Sequence, residues 1–345
     1  MKYLIPTMLL LLFLAIPANG VEYTAPSVPE SGAELMPESD SFPQGLGEMV
    51  QKALAMLHPD VHRALQLGCS CIATVILISL VQTLWDGGND SVQWAGLVGV
   101  CGLLLSSTNT MIQLGSSTIT EISQYGKLLL PVMTAALAAQ GGVGTSGALY
   151  AGTSLFGSLL TSLISNVLMP MVYGFLALSL AARTMGEGIL KNLQDTIKGF
   201  FGWCLKTILT VFTTYMSITG VISGTTDAAA LKATKVAISS VVPMVGSILS
   251  DASEAVLVSA ALAKNAAGIY GIFAVISVFL LPFFRIGLSY LVLKITAGIC
   301  GIFECRQITG LICDVSTAMG MLLAMTGSVC LVQLISTVCF LKGVS

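Results

Sequence analysis

Charge is what this sequence has least of. Of its 345 residues only 9% are Asp, Glu, Lys or Arg, and two are histidine. Soluble domains carry about 25% charged residues, so a wholly hydrated globular surface is excluded. The charges that exist leave long stretches empty. None falls between Arg63 and Asp86, Asp90 and Glu121, Lys127 and Arg183, Lys206 and Asp227, Lys264 and Arg285, or Asp314 and Lys342. Each interval reaches or approaches the roughly 20 apolar residues a helix needs to cross a bilayer core of about 30 Å. Lipid offers the backbone no hydrogen-bond partner, and the ten-residue alternation of an outer-membrane barrel is missing. The class expected is all-α: a polytopic helical membrane protein.

Several chemistries lack their residues. His58 and His62 both precede the first apolar run, which leaves no intramembrane carboxylate–histidine relay and no HExxH. No GxxxxGK[ST] occurs, so nucleotide hydrolysis by a P-loop is excluded. The stretch GTSG, Gly144 to Gly147, resembles the serine motif of rhomboid-type intramembrane proteases. A serine nucleophile needs a base within reach, and Ser146 has none evident; a tight turn is the simpler reading. The nine cysteines include no CxxC pair and avoid the exterior arm, and most lie in apolar runs. They read as small packing residues, not as metal ligands or a disulfide framework. The sequence is therefore expected to be non-catalytic and to hold no cofactor or metal. A net charge of −2 points to no nucleic acid.

What is present begins with a leader. Residues 1–20, MKYLIPTMLLLLFLAIPANG, have one Lys, an apolar stretch and small residues at Ala18 and Gly20. That is the layout of a secretory signal peptide, cleavage expected after Gly20, with an uncleaved anchor as the alternative. Residues 21–63 read as an acidic, flexible extracytoplasmic arm. Its first part carries Glu22, Glu30, Glu34, Glu38, Asp40 and Glu48, and four prolines, and such a composition buries too little to fold alone. A short amphipathic helix, broken at His58-Pro59-Asp60, is expected to close the arm. Residues 64–345 form the membrane domain, with spans near 64–84, 92–112, 126–140, 148–182, 205–224, 266–293 and 319–341. The 148–182 run would make a helix of about 52 Å, so a break near Asn166 and Pro170 is expected to divide it. That gives about seven to eight spans. Arg183, Lys191, Lys198 and Lys206 mark 183–206 as a cytoplasmic loop by the positive-inside rule.

Glycines recur at Gly96, Gly99 and Gly102, and Gly220 with Gly224 makes a GxxxG. Small residues let helices approach closely in lipid, so helix packing is the expected role, with a pore or hinge as the alternative.

The densest polar stretch is TTDAAALKATKVAISSVVPMVGSILSDASEAVLVSAALAKN, residues 225 to 265. Its apolar pieces 236–250 and 252–264 would each span only about 20 Å, which predicts a re-entrant or interfacial helical hairpin. Asp251 and Glu254 fit a helix start, and Lys264 its end, where a cation meets the negative pole of the macrodipole. Asp227 fits the cap of a small helix before them. The alternative is functional: Asp251 and Glu254 share a helical face and, with Arg285, would line the site of a self-sufficient small-solute or ion permease.

The run SGTTDAAALKATKVAISSVVPMVGSILSDASEAVLVSAALAKNAAGIYG, residues 223–271, resembles the signature region of the stage III sporulation protein AE family. The leader, the acidic arm and the multi-span body extend that resemblance over nearly the whole chain. It implies a role in endospore formation, in the mother-cell membrane around the forespore. The partners it implies are the other stage III sporulation membrane proteins of one complex, with a separate ATPase and a forespore-side protein. Together these are thought to form a secretion-like channel that sustains late forespore development. The resemblance names no catalytic residue.

If Asp251 and Glu254 are helix caps, changing either to Ala should cost about 0.5–2 kcal/mol. Thermal unfolding in detergent reads that cost. Cysteine labelling across 246–256 reports the depth of the hairpin.

Overall fold

A computed structural model describes residues 26–39, 41–84, 89–139, 143–185, 188–218, 266–303 and 305–343. The polar stretch 225–265, with Asp227, Asp251, Glu254 and Lys264, lies outside them, as do Gly220 and Gly224. Every regular element among the described residues is helical. Among the described residues, five stretches are long and apolar enough to cross a membrane: Phe42–Leu84, Ser91–Ala135, Ser146–Thr184, Ile269–Phe303 and Arg306–Leu341.

In chain order, α1 is a single turn, Glu30–Ala33; α2 runs Phe42–Leu84 and α3 Asn89–Ala139. Next, α4 (Val143–Leu163) passes through a π turn, Ile164–Leu168, directly into α5, Met169–Met185. Then come α6 (Gly188–Ile218) and α7 (Ala266–Cys300), a 3-10 turn at Gly301–Phe303, and α8, Arg306–Gly343.

Within the described residues, three local expectations are overridden. The expected pair 92–112 and 126–140 is one helix of 51 residues, about 77 Å long. Glu121, which should have marked a loop, instead accepts a hydrogen bond from Ser31 of the arm. The break foreseen near Asn166 and Pro170 exists, but as a widened turn and not a reversal. In an ideal helix the proline ring would meet the carbonyl of residue 166, and the π turn absorbs that conflict without ending the helix. The basic loop at 183–206 is mostly helix: Lys191, Lys198 and Lys206 all lie on α6.

The arm is likewise more structured than its composition suggests. α2 runs through Pro59 without a break, held by Met49, Ala53 and Leu57 buried before it and Cys71 and Val75 after it. From Pro26 onward the arm packs on the bundle instead of hanging free. Leu35 is fully buried, Phe42 stacks on Phe273 at 5.3 Å, and Lys52 donates to the Met36 carbonyl at 3.1 Å. Gly32 lies against α7 so closely that a Cβ would sit 2.9 Å from the Val278 amide nitrogen.

The bundle is organised around α8. It forms an antiparallel hairpin with α7 and is flanked by α3, α4, α5 and α6. Its most apolar window is 94% buried inside the protein, against 22% for that of α2. The charge-free run of α8 is therefore apolar because protein surrounds it. On α2, α3 and α4–α5 the apolar residues largely face outward: Leu77, Leu80, Val98, Leu105, Leu155 and Leu159 are all exposed.

Of the glycine triplet, only Gly96 meets a neighbour, with Ile78 Cδ1 2.1 Å from where its Cβ would stand. Gly99 and Gly102 face no described atom within 4 Å. A three-residue step on a 3.6-residue turn drifts by about 60° each time, so three such glycines cannot share one face. Gly96→Val should therefore destabilise by about 1–3 kcal/mol through overpacking. Gly99→Ala and Gly102→Ala should not destabilise the helix. Melting temperatures of the three variants in detergent check the contrast.

Candidate functional site

Ionised groups placed among apolar helices need partners, and the structure gathers them into two clasps on the α7–α8 hairpin. The first joins α5 to α8. Arg183 donates from Nη2 to Asp314 Oδ2 at 2.8 Å, and Ser179, one turn earlier on α5, donates its hydroxyl to the same oxygen at 2.5 Å. Both ionic side chains are almost enclosed, 12% and 8% exposed. Gly310, one turn before Asp314, makes room: a Cβ there would fall 2.3 Å from Arg183 Cζ. Neither residue was singled out as a site in the sequence. The available signal was that Arg183 and Asp314 each end a long charge-free run.

The second clasp contains Arg285, which the sequence grouped with the polar hairpin. Its Nε donates to Asp60 Oδ2 on α2 at 2.7 Å, and Arg63 stands 3.9 Å from the other carboxylate oxygen. Asp60 and Arg63 had been assigned to the flexible arm. The three ionised groups head a cavity of about 590 Å³ between α2, α3 and α7. Gln66, Ser70, Ser106, Ser107, Thr110 and Ser289 supply its polar wall, and Leu67, Leu103, Val292 and Leu293 its apolar one. Gly68, just below, lets α2 close on α7, with Thr296 Oγ1 2.8 Å from a Cβ position.

The remaining sequence candidates are placed apart from these clasps. Ser146 is buried on α4. His58 and His62 are exposed on α2 and pack edge-on against each other at 5.4 Å. The nine cysteines are free thiols, six of them buried, while Cys69 is exposed.

The sequence that builds these helices matches a recognised family. The family model for stage III sporulation protein AE matches residues 37–342. The chain belongs to the stage III sporulation protein AE family. It is also similar to the stage III sporulation protein AE of Bacillus subtilis (strain 168), 26% identical over 199 residues. That match covers 57% of this chain and 49% of the relative, so the chain spans about half the length of the curated relative it matches. No solved structure matches the chain. The family match takes in both clasps but begins after the α1 turn that touches α7, so the charged pairs lie inside the family's own segment.

Removing one partner of a buried ion pair leaves an uncompensated charge, at about 3–5 kcal/mol. Asp314→Asn should show a loss of that size by thermal or chemical unfolding in detergent. The double variant R183M/D314L should recover most of it, since apolar replacement of a whole buried pair is often neutral.

Proposed function

We propose that this chain is a non-catalytic, multi-pass membrane component of the channel-like, secretion-like complex between mother cell and forespore that endospore formation requires. Family membership supports the sporulation role. In this reading its partners are the other stage III sporulation membrane proteins of the complex, among them a separate ATPase and a forespore-side protein.

The observation that favours a component over a self-sufficient permease is how α8 uses its polar groups. Thr326, Ser328, Ser336 and Thr337 are buried at the axis of the bundle. Each donates its hydroxyl to the carbonyl four residues earlier: Leu322, Ala324, Val332 and Gln333. Hydroxyls spent on their own helix do not line a water path. The void beside Gln333, Thr153 and Thr161 is about 30 Å³, room for one water and not for a file of them. Among the described residues this part of α8 is thus closely packed, which suits a scaffold or one wall of a larger conduit.

Charge supports an orientation. Arg183 and Gly310 meet near the α7–α8 turn, where Arg306 opens α8, while the arm packs at the other end of α7 against Phe273 and Val278. With Arg183 and Arg306 taken as the cytoplasmic end, the arm lies on the extracytoplasmic side.

Two measurements test the reading. In sporulating cells, loss of the chain should arrest late forespore development, and the tagged chain should co-purify with the other membrane proteins of the complex. Purified alone in liposomes, it should take up no small solute. Uptake by the isolated chain would establish the permease instead.

A further inference from the structure

The Asp60–Arg285 cavity has a feature that neither fold nor family explains. Two guanidinium groups face one carboxylate there, and only one of their contacts is short: Arg285 Nε on Asp60, 2.7 Å. Arg63 is 83% exposed and 3.9 Å from that carboxylate. The Nη groups of Arg285 make no hydrogen bond to a described residue, and neither do the hydroxyl donors of Ser70, Ser107 and Ser289. The cavity holds an excess of positive charge and uncommitted donors in about 590 Å³.

Its height along the bundle is also defined. Helix α7 covers about 24 Å between Arg285 and the turn at Gly301, and α2 covers about 32 Å between Arg63 and Leu84. Both lengths are close to the roughly 30 Å of a bilayer core. If the α7–α8 turn marks one face of the membrane, the two arginines stand at the other. The cavity then descends about 15 Å from Asp60 to Ser70, past Leu67, Leu103, Val292 and Leu293. Leu291 beside it, Ile295 near its lower end and Leu77 and Leu80 below it are exposed. Charge at the top, hydroxyls along the cavity wall and exposed apolar side chains on the outer face beneath suit an amphiphile.

We propose that this cavity binds a phosphate group between Arg63 and Arg285, supplied by an anionic phospholipid whose acyl chains run down the α2–α7 face. Guanidinium forks suit phosphate oxygens, and Asp60 sets the angle of Arg285 by holding its Nε. The inference rests on the membrane placement proposed above.

The full chain, purified in detergent, is offered phosphatidylglycerol or phosphatidylcholine, and retained lipid is counted by native mass spectrometry. Phosphatidylglycerol should be retained about tenfold more, because phosphatidylcholine offers the same phosphate but brings a quaternary ammonium up to a cavity that already holds two guanidinium groups against one carboxylate. Arg63→Gln, at an exposed position with little bearing on folding, should erase the preference, and Arg285→Lys should reduce it. If inorganic phosphate displaces the lipid from the wild type and binds Arg63→Gln less well, the phosphate site stands. Tight binding of inorganic phosphate with no lipid preference would overturn the lipid source. Equal retention of the two lipids without phosphate binding, or a preference unchanged in Arg63→Gln, would overturn the site. Alkaline washing of membranes separates the two failures. Release of the chain into the wash contradicts the membrane placement, whereas a chain that stays in the pellet but shows no preference contradicts only the site.

Discussion

The enclosure of α8 constrains everything around it. A 38-residue helix with its most apolar window 94% buried needs neighbours on every side, and a hairpin partner alone covers one. Helices α3, α4, α5 and α6 complete the wrap, and the lengths of α3 and of the continuous α4–α5 rod follow from the length they must cover. Breaking either rod into two shorter spans would interrupt that cover. The π turn at Ile164–Leu168 is the compromise between Pro170 and this demand for continuity.

Close approach does the packing and paired charges orient it. Gly126 abuts the Gln333 carboxamide, Gly152 the Tyr215 ring, and Gly310 the Arg183 guanidinium. Each puts a small residue of one helix against a long polar or aromatic side chain of another. The weak apolar attraction between helices in lipid makes such fits important, and polar contacts add register. Tyr215 donates to the Ala148 carbonyl at 2.9 Å, and Lys198 lies 5.3 Å above the Phe175 ring, so α6 is tied to both halves of the α4–α5 rod. The ion pairs fix height along the axis more than they add stability, since burying two charges costs much of what their attraction returns.

Helices, their apolar character and the family were legible in the sequence; the solvent of each helix was not. The run 315–341 of α8 looks the same whether lipid or protein surrounds it, because burial in either selects apolar residues on all faces. Partners distant in sequence were equally hidden. Glu121 interrupts an apolar pattern and reads as a loop until Ser31, 90 residues away, supplies its hydrogen bond. Arg285 stands out in the sequence, yet Asp60 lies 225 residues from it, at what reads as the broken point of a short amphipathic helix. Composition measured the arm's acidity but not the few apolar contacts, at Leu35 and Phe42, that dock it. Asp314 and Arg183 were readable only as the edges of charge-free runs, since nothing local says that one ends opposite the other.

Helix length against bilayer thickness leads to one more step. A core of about 30 Å holds fewer than half of the roughly 77 Å of α3. If the boundary lies at Arg63 and Arg285, then the first part of α2, the later part of α3 and the paired ends of α7 and α8 rise beyond it. That upper portion is where the arm packs and where Glu38, Glu48, Lys52, His58 and Glu121 are placed. On α2 and α3 few large apolar side chains are exposed there, notably Leu54 and Leu128, whereas Tyr150, Leu155 and Leu159 of α4 are exposed at that height. The arm, by covering the Ser277–Val278 face of α7, is part of the cover over that end of the bundle and not an appendage to it.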